Sequence, residues 1–186
     1  MSNTWFTSDT HYYHSNILKF TNRPFAIVEE MNQAFIDWNH ANVQPNDDLY
    51  NLGDFSFGTL DQTLEVVKQL RGRLHLVLGN HDQIIRKNRS IFSQYFDSIQ
   101  DMRELNVDKK KTIVLCHYPM RSWNKSNYGS IQLHGHVHGS LEPYGRSVDV
   151  GIDSPYITNK KEHRPFHLDE ILEWAKTRPL IKDYGD

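Results

Sequence analysis

Cysteine is nearly absent from this chain. The 186 residues include one, Cys116. That excludes an internal disulfide framework and suits a reducing, cytoplasmic setting. Long hydrophobic runs are missing too. No unbroken apolar stretch exceeds four residues, Ile113–Cys116 among them, against the ~20 a membrane span needs. Met1-Ser2-Asn3-Thr4-Trp5 holds no basic patch leading into an apolar stretch, so no signal peptide is expected. Neither sign of charge dominates: 21 Lys plus Arg stand against 23 Asp plus Glu, a net charge of −2. No global basic field therefore recruits nucleic acid. Repeats, low-complexity tracts and Pro/Gly/Ser linkers are also lacking, and the chain reads as a single domain over residues 1–186. At 38% hydrophobic and 24% charged, it is too apolar for a disordered chain. Histidine is what it has in excess, with 11. Histidine is the commonest metal ligand and a general acid–base near neutrality.

Periodicity orders the first half as strand, helix, strand, helix, strand. Asn3–Ser8, Asp48–Leu52 and Leu74–Leu78 read as strands. Ile27–Asn42 reads as a helix with Ile27, Met31, Ala34, Phe35 and Trp38 at helical spacing. Thr59–Leu70 reads as another, with Leu60, Leu64, Val67 and Leu70 on one face and Gly72 as its stop. The alternation predicts an α/β sheet with helical crossovers. The second half differs. Ser98–Val107 and Lys111–Cys116 read as strands across a polar turn at Asp108–Lys110, with the charged Lys109-Lys110-Lys111 at that turn. Ile131–His134 and Arg146–Val150 follow as strands, then a helix over Leu168–Lys176. Consecutive strands predict antiparallel pairing and a second sheet.

Polar clusters sit at the carboxyl ends of these strands, where open α/β sheets bind ligands. Asp9-x-His11 follows the first strand, Gly53-Asp54 the second and Gly79-Asn80-His81-Asp82 the third. His117 follows Lys111–Cys116, and Gly135-His136-x-His138 closes the strand from Ile131. Residues two apart in an extended segment point to one side, so each pair directs two ligands at one place. Each glycine permits a sharp exit from its strand and close approach of the backbone to an ion.

The ordered set of five blocks resembles the calcineurin-like metallophosphoesterases, and it spans Asp9 to His138. The resemblance implies a four-layer αββα sandwich of two mixed β-sheets with a two-metal centre at one edge. It also implies that Asp9, His11 and His138 hold one divalent metal, and Asn80, His117 and His136 the other. Asp54 would bridge them, and His81 would be the catalytic histidine. The implied activity is hydrolysis of a phosphomonoester or phosphodiester by a hydroxide held between the metals. His81 would protonate the leaving oxygen or stabilise its charge, and Asp82 would orient His81 or cap the helix Gln83–Lys87. Imidazole suits Zn, Fe and Ni, and carboxylate with amide also suits Mn, so the metal stays open. Cys116 reads as core rather than ligand.

The acidic balance favours a small organic phosphate such as a nucleotide over nucleic acid as partner. A nuclease and a catalytically inactive scaffold of the same fold are the alternatives, the second disfavoured by intact ligand positions. Three residues outside the blocks are candidate substrate contacts. His14 opens a short helix through Lys19. Arg121 and Trp123 lie in the loop after His117, where a cation would clamp phosphate and an aromatic would stack on a ring. His134 stays outside the ligand set. His40, His75, His163 and His167 are expected in solvated or capping roles.

Overall fold

A computed structural model describes residues 2–107 and 111–181. Asp108, Lys109 and Lys110, the expected turn, lie outside the described residues. Two mixed sheets form the α/β sandwich. The first contains β1 (Thr4–Thr7), β2 (Asp48–Asn51), β3 (Arg73–Val77), β4 (Phe96–Gln100) and β9 (Phe166–His167), in the order β4-β3-β2-β1-β9. Its first four strands run parallel, and β9 pairs antiparallel with β1. The second contains β5 (Met102–Asn106), β6 (Thr112–Cys116), β7 (Ile131–His134) and β8 (Ser147–Asp149), in that order. Only its β5–β6 pair is antiparallel.

The two-residue side-chain period of a strand decides which sheet face each residue serves. Phe6, Tyr50, Leu52 and Val77 of the first sheet meet Ile113, Leu115, Leu133 and Val148 of the second in one buried cluster. Leu49, Leu74, Leu76 and Ile99 face the opposite way, onto the helices. The outer face of the second sheet packs Val114 against Trp123 and Ile181.

Helix α2 (Val28–Asn42) buries Val28, Met31, Asn32, Phe35, Ile36 and Asn39. That face is rotated from the expected one, because two buried asparagines tie the helix to loops. The Asn39 side-chain oxygen accepts from the Arg71 N–H at 2.7 Å, and that of Asn32 from Tyr13 N–H at 3.2 Å. Ile27 precedes the first turn and is exposed. Helix α3 (Leu60–Gln69) starts at a Thr59–Gln62 capping box, which satisfies two otherwise unpaired N–H groups. The short α1 (Ile17–Phe20) precedes α2 in the chain. α4 (Gln83–Lys87), α5 (Arg89–Phe92) and α6 (Leu168–Lys176) complete the α-helices of the described residues, and Ser126–Tyr128 adds one 3-10 turn.

The expected strand Ser98–Val107 is two strands. β4 ends at Gln100 in the first sheet and β5 begins at Met102 in the second, so the chain changes sheets at Asp101. Local periodicity does not register such a crossing, because both halves stay extended. β9 is too short for its alternation to show.

Asp47 offers a test of the turn before β2. Its buried carboxylate accepts from the backbone N–H of Asn3 at 2.7 Å and of Gln44 at 3.0 Å. Burial acts to raise its pKa, but these donors outweigh burial and hold the carboxyl below its usual range. On acidification the unfolded chain therefore takes up the proton first. The stabilisation from Asp47 is full above about pH 4 and is lost as pH falls through the lowered folded value. Asp47→Asn is expected to flatten the decline of the urea midpoint between about pH 5 and pH 2. A decline as steep as in the parent chain would refute this assignment.

Candidate metal centre

Parallel pairing puts the carboxyl ends of β1, β2 and β3 side by side, and β6, β7 and β8 end at the same edge of the second sheet. Backbone bonds tie neighbouring exits within each sheet, and the bond from Ile152 to Ser8 joins the two sheets. Asp9 N–H donates to Gly53 O at 2.9 Å, Gly135 N–H to His117 O at 3.0 Å and Ile152 N–H to Ser8 O at 3.1 Å. All five polar blocks thus converge on one edge.

Two groups of donors result: Asp9, His11 and His138, and Asp54, His117 and His136. The seven expected ligands are all here, since Asn80 Oδ1 lies 3.1 Å from His117 Nε2. Asp54 Oδ2 stands between the groups, 3.6 Å from His117 Nε2 and 3.8 Å from His11 Nε2. His11 and His138 place Nε2 at 3.8 and 3.9 Å from Asp9 Oδ1. Such separations are too long for hydrogen bonds. They match ligands ~3–4 Å apart around a common ion held at ~2.1 Å. His11 Nε2 is buried with no hydrogen-bond partner. A buried nitrogen without a partner is unfavourable, and a cation would satisfy it.

Hydrogen bonds on the far side of each ring set this orientation. His117 Nδ1 donates to Leu52 O at 2.7 Å and His138 Nδ1 to Asp153 Oδ2 at 2.8 Å. His11 Nδ1 pairs with His14 Nδ1 at 3.3 Å. The carbonyl and carboxylate acceptors take the Nδ1 proton of His117 and His138 and aim Nε2 inward, the arrangement metal-ligating histidines use; between His11 and His14 either ring can donate. Burial pushes the His11 and His136 imidazoles down, toward the neutral form that ligates. For Asp9, burial opposes ionisation, but the neighbouring His11, His138 and His117 outweigh it and hold its carboxyl low.

The pairs converge for a reason other than the expected one. Asp9-x-His11 and His136-x-His138 are not extended: Asp9, His11, Asp54, His136 and His138 have φ of 54°, 52°, 52°, 72° and 49°. This left-handed region is uncommon for residues with a Cβ, though Asp and His tolerate it better than most. Such conformations persist where the surroundings over-determine them. Here Arg23 Nη2 donates to Asp9 O at 2.7 Å, and His136 N–H to Asp9 Oδ2 at 2.9 Å. The glycines act differently as well. A Cβ at Gly79 would overlap the Asp54 carboxylate, and one at Gly135 that of Asp9. The close approach they permit is to the ligand carboxylates.

Asp82 does not orient His81. Its Oδ2 accepts from the N–H groups of Asp54 and Gly79 at 2.9 and 2.8 Å, and Oδ1 from Phe55 at 2.8 Å. Nor does its side chain cap the following helix. It clamps the β2 and β3 exits together, and burial pushes it up to about 6. His81 donates its backbone N–H to Asp54 Oδ1 at 2.8 Å, while its half-exposed ring places Nε2 at 3.9 Å from Asp54 Oδ2.

Of the candidate substrate contacts, only His14 comes to the centre. Its ring stacks on Phe57 at 3.9 Å, and burial, with His11 alongside, pushes it down to about 4. Trp123 is buried against Val114 and Ile181 on the far face of the second sheet, so it offers no stacking surface. The indole is worth more under that otherwise bare sheet face than in water. Arg121 lies over the Tyr144 ring at 4.2 Å, in a separate depression with His134 and Glu142, and not on the donor groups. Cys116 is core, where burial pushes its thiol up.

Sequence reasoning missed the support behind the candidate ligands. Arg23 and Asp153, both buried, form a two-bond pair at 3.0 and 2.8 Å and continue it to His138. Asp149 accepts from Gly139 and Gly151 N–H, at 2.7 and 2.6 Å. Burial and the Asp9 charge push it up to about 7. The separation of Arg23 from Asp153, 130 residues, leaves no local pattern to read. Of the four unassigned histidines, His167 does cap a helix, α6, and His40 is bonded at the surface to Gln69 O. His75 instead bridges Ser98 and Asp48 under the first sheet, and His163 lies 3.8 Å from Asp153.

No family model matches the chain. Among the described residues, no helix is long and apolar enough to cross a membrane. Among solved structures, a protein of unknown function from Aquifex aeolicus, AQ665, superposes with a TM-score of 0.70 at 27% identity, over 93% of this chain and 99% of that one. An archaeal phosphodiesterase superposes more loosely, with a TM-score of 0.49 at 21% identity over 89% of this chain and 99% of that one, a likeness too slight to carry function. The gene 66 protein of Mycobacterium phage L5 is 27% identical over 83% of this chain and 88% of its own length. The uncharacterized protein MJ1445 of Methanocaldococcus jannaschii is 31% identical over 100% of this chain and 98% of that protein. At that identity and coverage, the chain belongs to the family of MJ1445.

Proposed function

We propose that this chain is a metal-dependent phosphoesterase of the calcineurin-like metallophosphoesterase type. The observation that carries the reading is the place of Asp54: one carboxylate oxygen lies within 3.8 Å of imidazole nitrogens from both donor groups. Asp9, His11 and His138 would hold one divalent cation, Asn80, His117 and His136 the second, and Asp54 both. Two divalent cations so held supply the charge that binds a phosphoryl group and makes water a nucleophile near neutrality. Seven donors without a thiolate suit such an open pair better than a closed structural site.

The remaining chemistry belongs to the chain. With two carboxylates among seven donors, the centre keeps the positive balance that attracts an anionic ester. His81 stands at its open side with its ring half exposed and its backbone anchored on Asp54. On this reading it delivers a proton to the leaving oxygen, a role typically worth 10²–10⁴-fold. Stripping the protein with chelator and restoring Mn, Ni, Zn or Mg is expected to return hydrolysis of a generic phosphomonoester or phosphodiester with at least one of these ions. His81→Ala is expected to keep its metal content and lose about 10²–10⁴-fold in turnover. No hydrolysis with any ion, or full turnover in His81→Ala, would overturn the reading.

A further inference from the structure

A cleft of about 470 Å³ opens beside His81, with His11 and His138 of the first donor group in its wall, a size typical of small-ligand sites. Its walls are unusual for a site that takes anions, because no lysine or arginine lines it. Phe57 stacks on His14 at 3.9 Å and 10° between planes, lies 4.6 Å from the His81 ring, and is 39% exposed. Phe20, at the end of α1, stands 6.1 Å from His14 and is 73% exposed. Phe57 is held in place, since its N–H donates to Tyr12 O at 2.8 Å. Two phenylalanines thus keep ring surface in water on the side of the centre where His81 would meet a leaving group. Exposed apolar surface of this kind marks a binding region. Away from His11 and His138, the exposed phenylalanine faces offer no charge to a second phosphate; they fit a flat, neutral group.

Resting on the phosphoesterase reading, we propose that this cleft holds the alcohol portion of the ester and selects one that carries a planar aromatic ring. Phe57 and Phe20 are its specificity-determining residues. The ring lies against aromatic faces while its oxygen stays on the His81 side. Stacking of this type is sequence-tolerant in nucleic-acid sites because every base has a π-face. The same geometry takes a nucleobase or a simple aryl group.

Non-hydrolysable phosphonates separate the terms by calorimetry on the Mn-loaded protein. Methylphosphonate reports the anion alone, cyclohexylmethylphosphonate adds bulk, and benzylphosphonate adds a flat ring. Benzylphosphonate is expected to bind at least ~10-fold tighter than methylphosphonate and ~3-fold or more tighter than cyclohexylmethylphosphonate, within the range of a stacking contact. Phe57→Leu, which keeps bulk without a flat face, and Phe20→Ala are each expected to reduce the benzyl-to-methyl ratio to below ~3, while Phe57→Tyr retains it. An adenosine 5′-phosphonate that binds tighter than benzylphosphonate assigns the ring to a nucleobase; weaker binding assigns it to an aryl group. Equal binding of the methyl and benzyl compounds, or a ratio untouched by both Phe57→Leu and Phe20→Ala, would overturn the aromatic subsite alone. Absence of any methylphosphonate binding would overturn the phosphoesterase reading beneath it.

Discussion

Arg23→Ala is expected to destabilise the fold by about 3–5 kcal/mol, the usual effect of removing one partner of a buried ion pair. The side chains of Arg23 and Asp153 have no solvent exposure, and two hydrogen bonds at 3.0 and 2.8 Å join them. Without the guanidinium, the Asp153 carboxylate stays buried opposite His138 and the more distant His163. The carbonyls of Asp9 and Thr10 also lose their donor, so the left-handed turn that carries two ligands relaxes. Urea unfolding at neutral pH measures the effect. Arg23→Met combined with Asp153→Leu is expected to lose less stability than Arg23→Ala, because it leaves no charge unpaired. A loss below about 1 kcal/mol in Arg23→Ala, or a double variant worse than the single one, would remove this account.

Asp54→Asn is expected to affect metal and activity together. One oxygen of Asp54 faces His11, His81 and His117, and the other accepts from the His81 N–H. The amide keeps the shape but removes one of the two carboxylate charges of the centre. Affinity for at least one ion should fall by 100-fold or more, beyond the ~10–100-fold typical of a supporting residue. Hydrolysis should fall by at least ~10³-fold. Metal content after dialysis against a buffered chelator gives the first readout and needs no substrate. An Asp54→Asn protein that keeps two ions per chain would show that the groups are not joined through this carboxylate. Contrast with His81→Ala matters here: one variant should lose metal, the other turnover alone.

Short apolar runs placed β1, β2, β3, β6 and β7 within a residue or two, and the helical spacing of Leu60, Leu64 and Val67 placed α3. Strand ends were legible for the same reason, since apolar runs stop where polar blocks begin. Asp101, where the chain leaves one sheet for the other, carries no such mark. Trp123 shows the complementary limit. Its place in a loop after His117 suggested substrate, while its burial depends on the bare face of β6, which local sequence does not reveal. Asp82 is similar: three N–H groups from two separate strand exits claim its carboxylate, and only one lies within three residues of it.

By itself the sequence determined the inventory: two carboxylates, four imidazoles and an amide in five blocks at strand ends, with a further histidine among them. Strand periodicity and parallel pairing suffice to bring such blocks to one edge, because a parallel sheet aligns its carboxyl ends. The tertiary structure alone decided how each ligand is aimed. The left-handed turns at Asp9, His11, Asp54, His136 and His138 are local, as is the His11–His14 bond, but the Nδ1 bonds of His117 to Leu52 and of His138 to Asp153 and the Arg23–Asp153 pair join separate segments of the chain. The aromatic cleft beside His81 is of the same kind, since Phe20 and Phe57 share it only after β1 and β2 pair. Contacts between distant segments exist only once the sheets have assembled, so no local pattern encodes them.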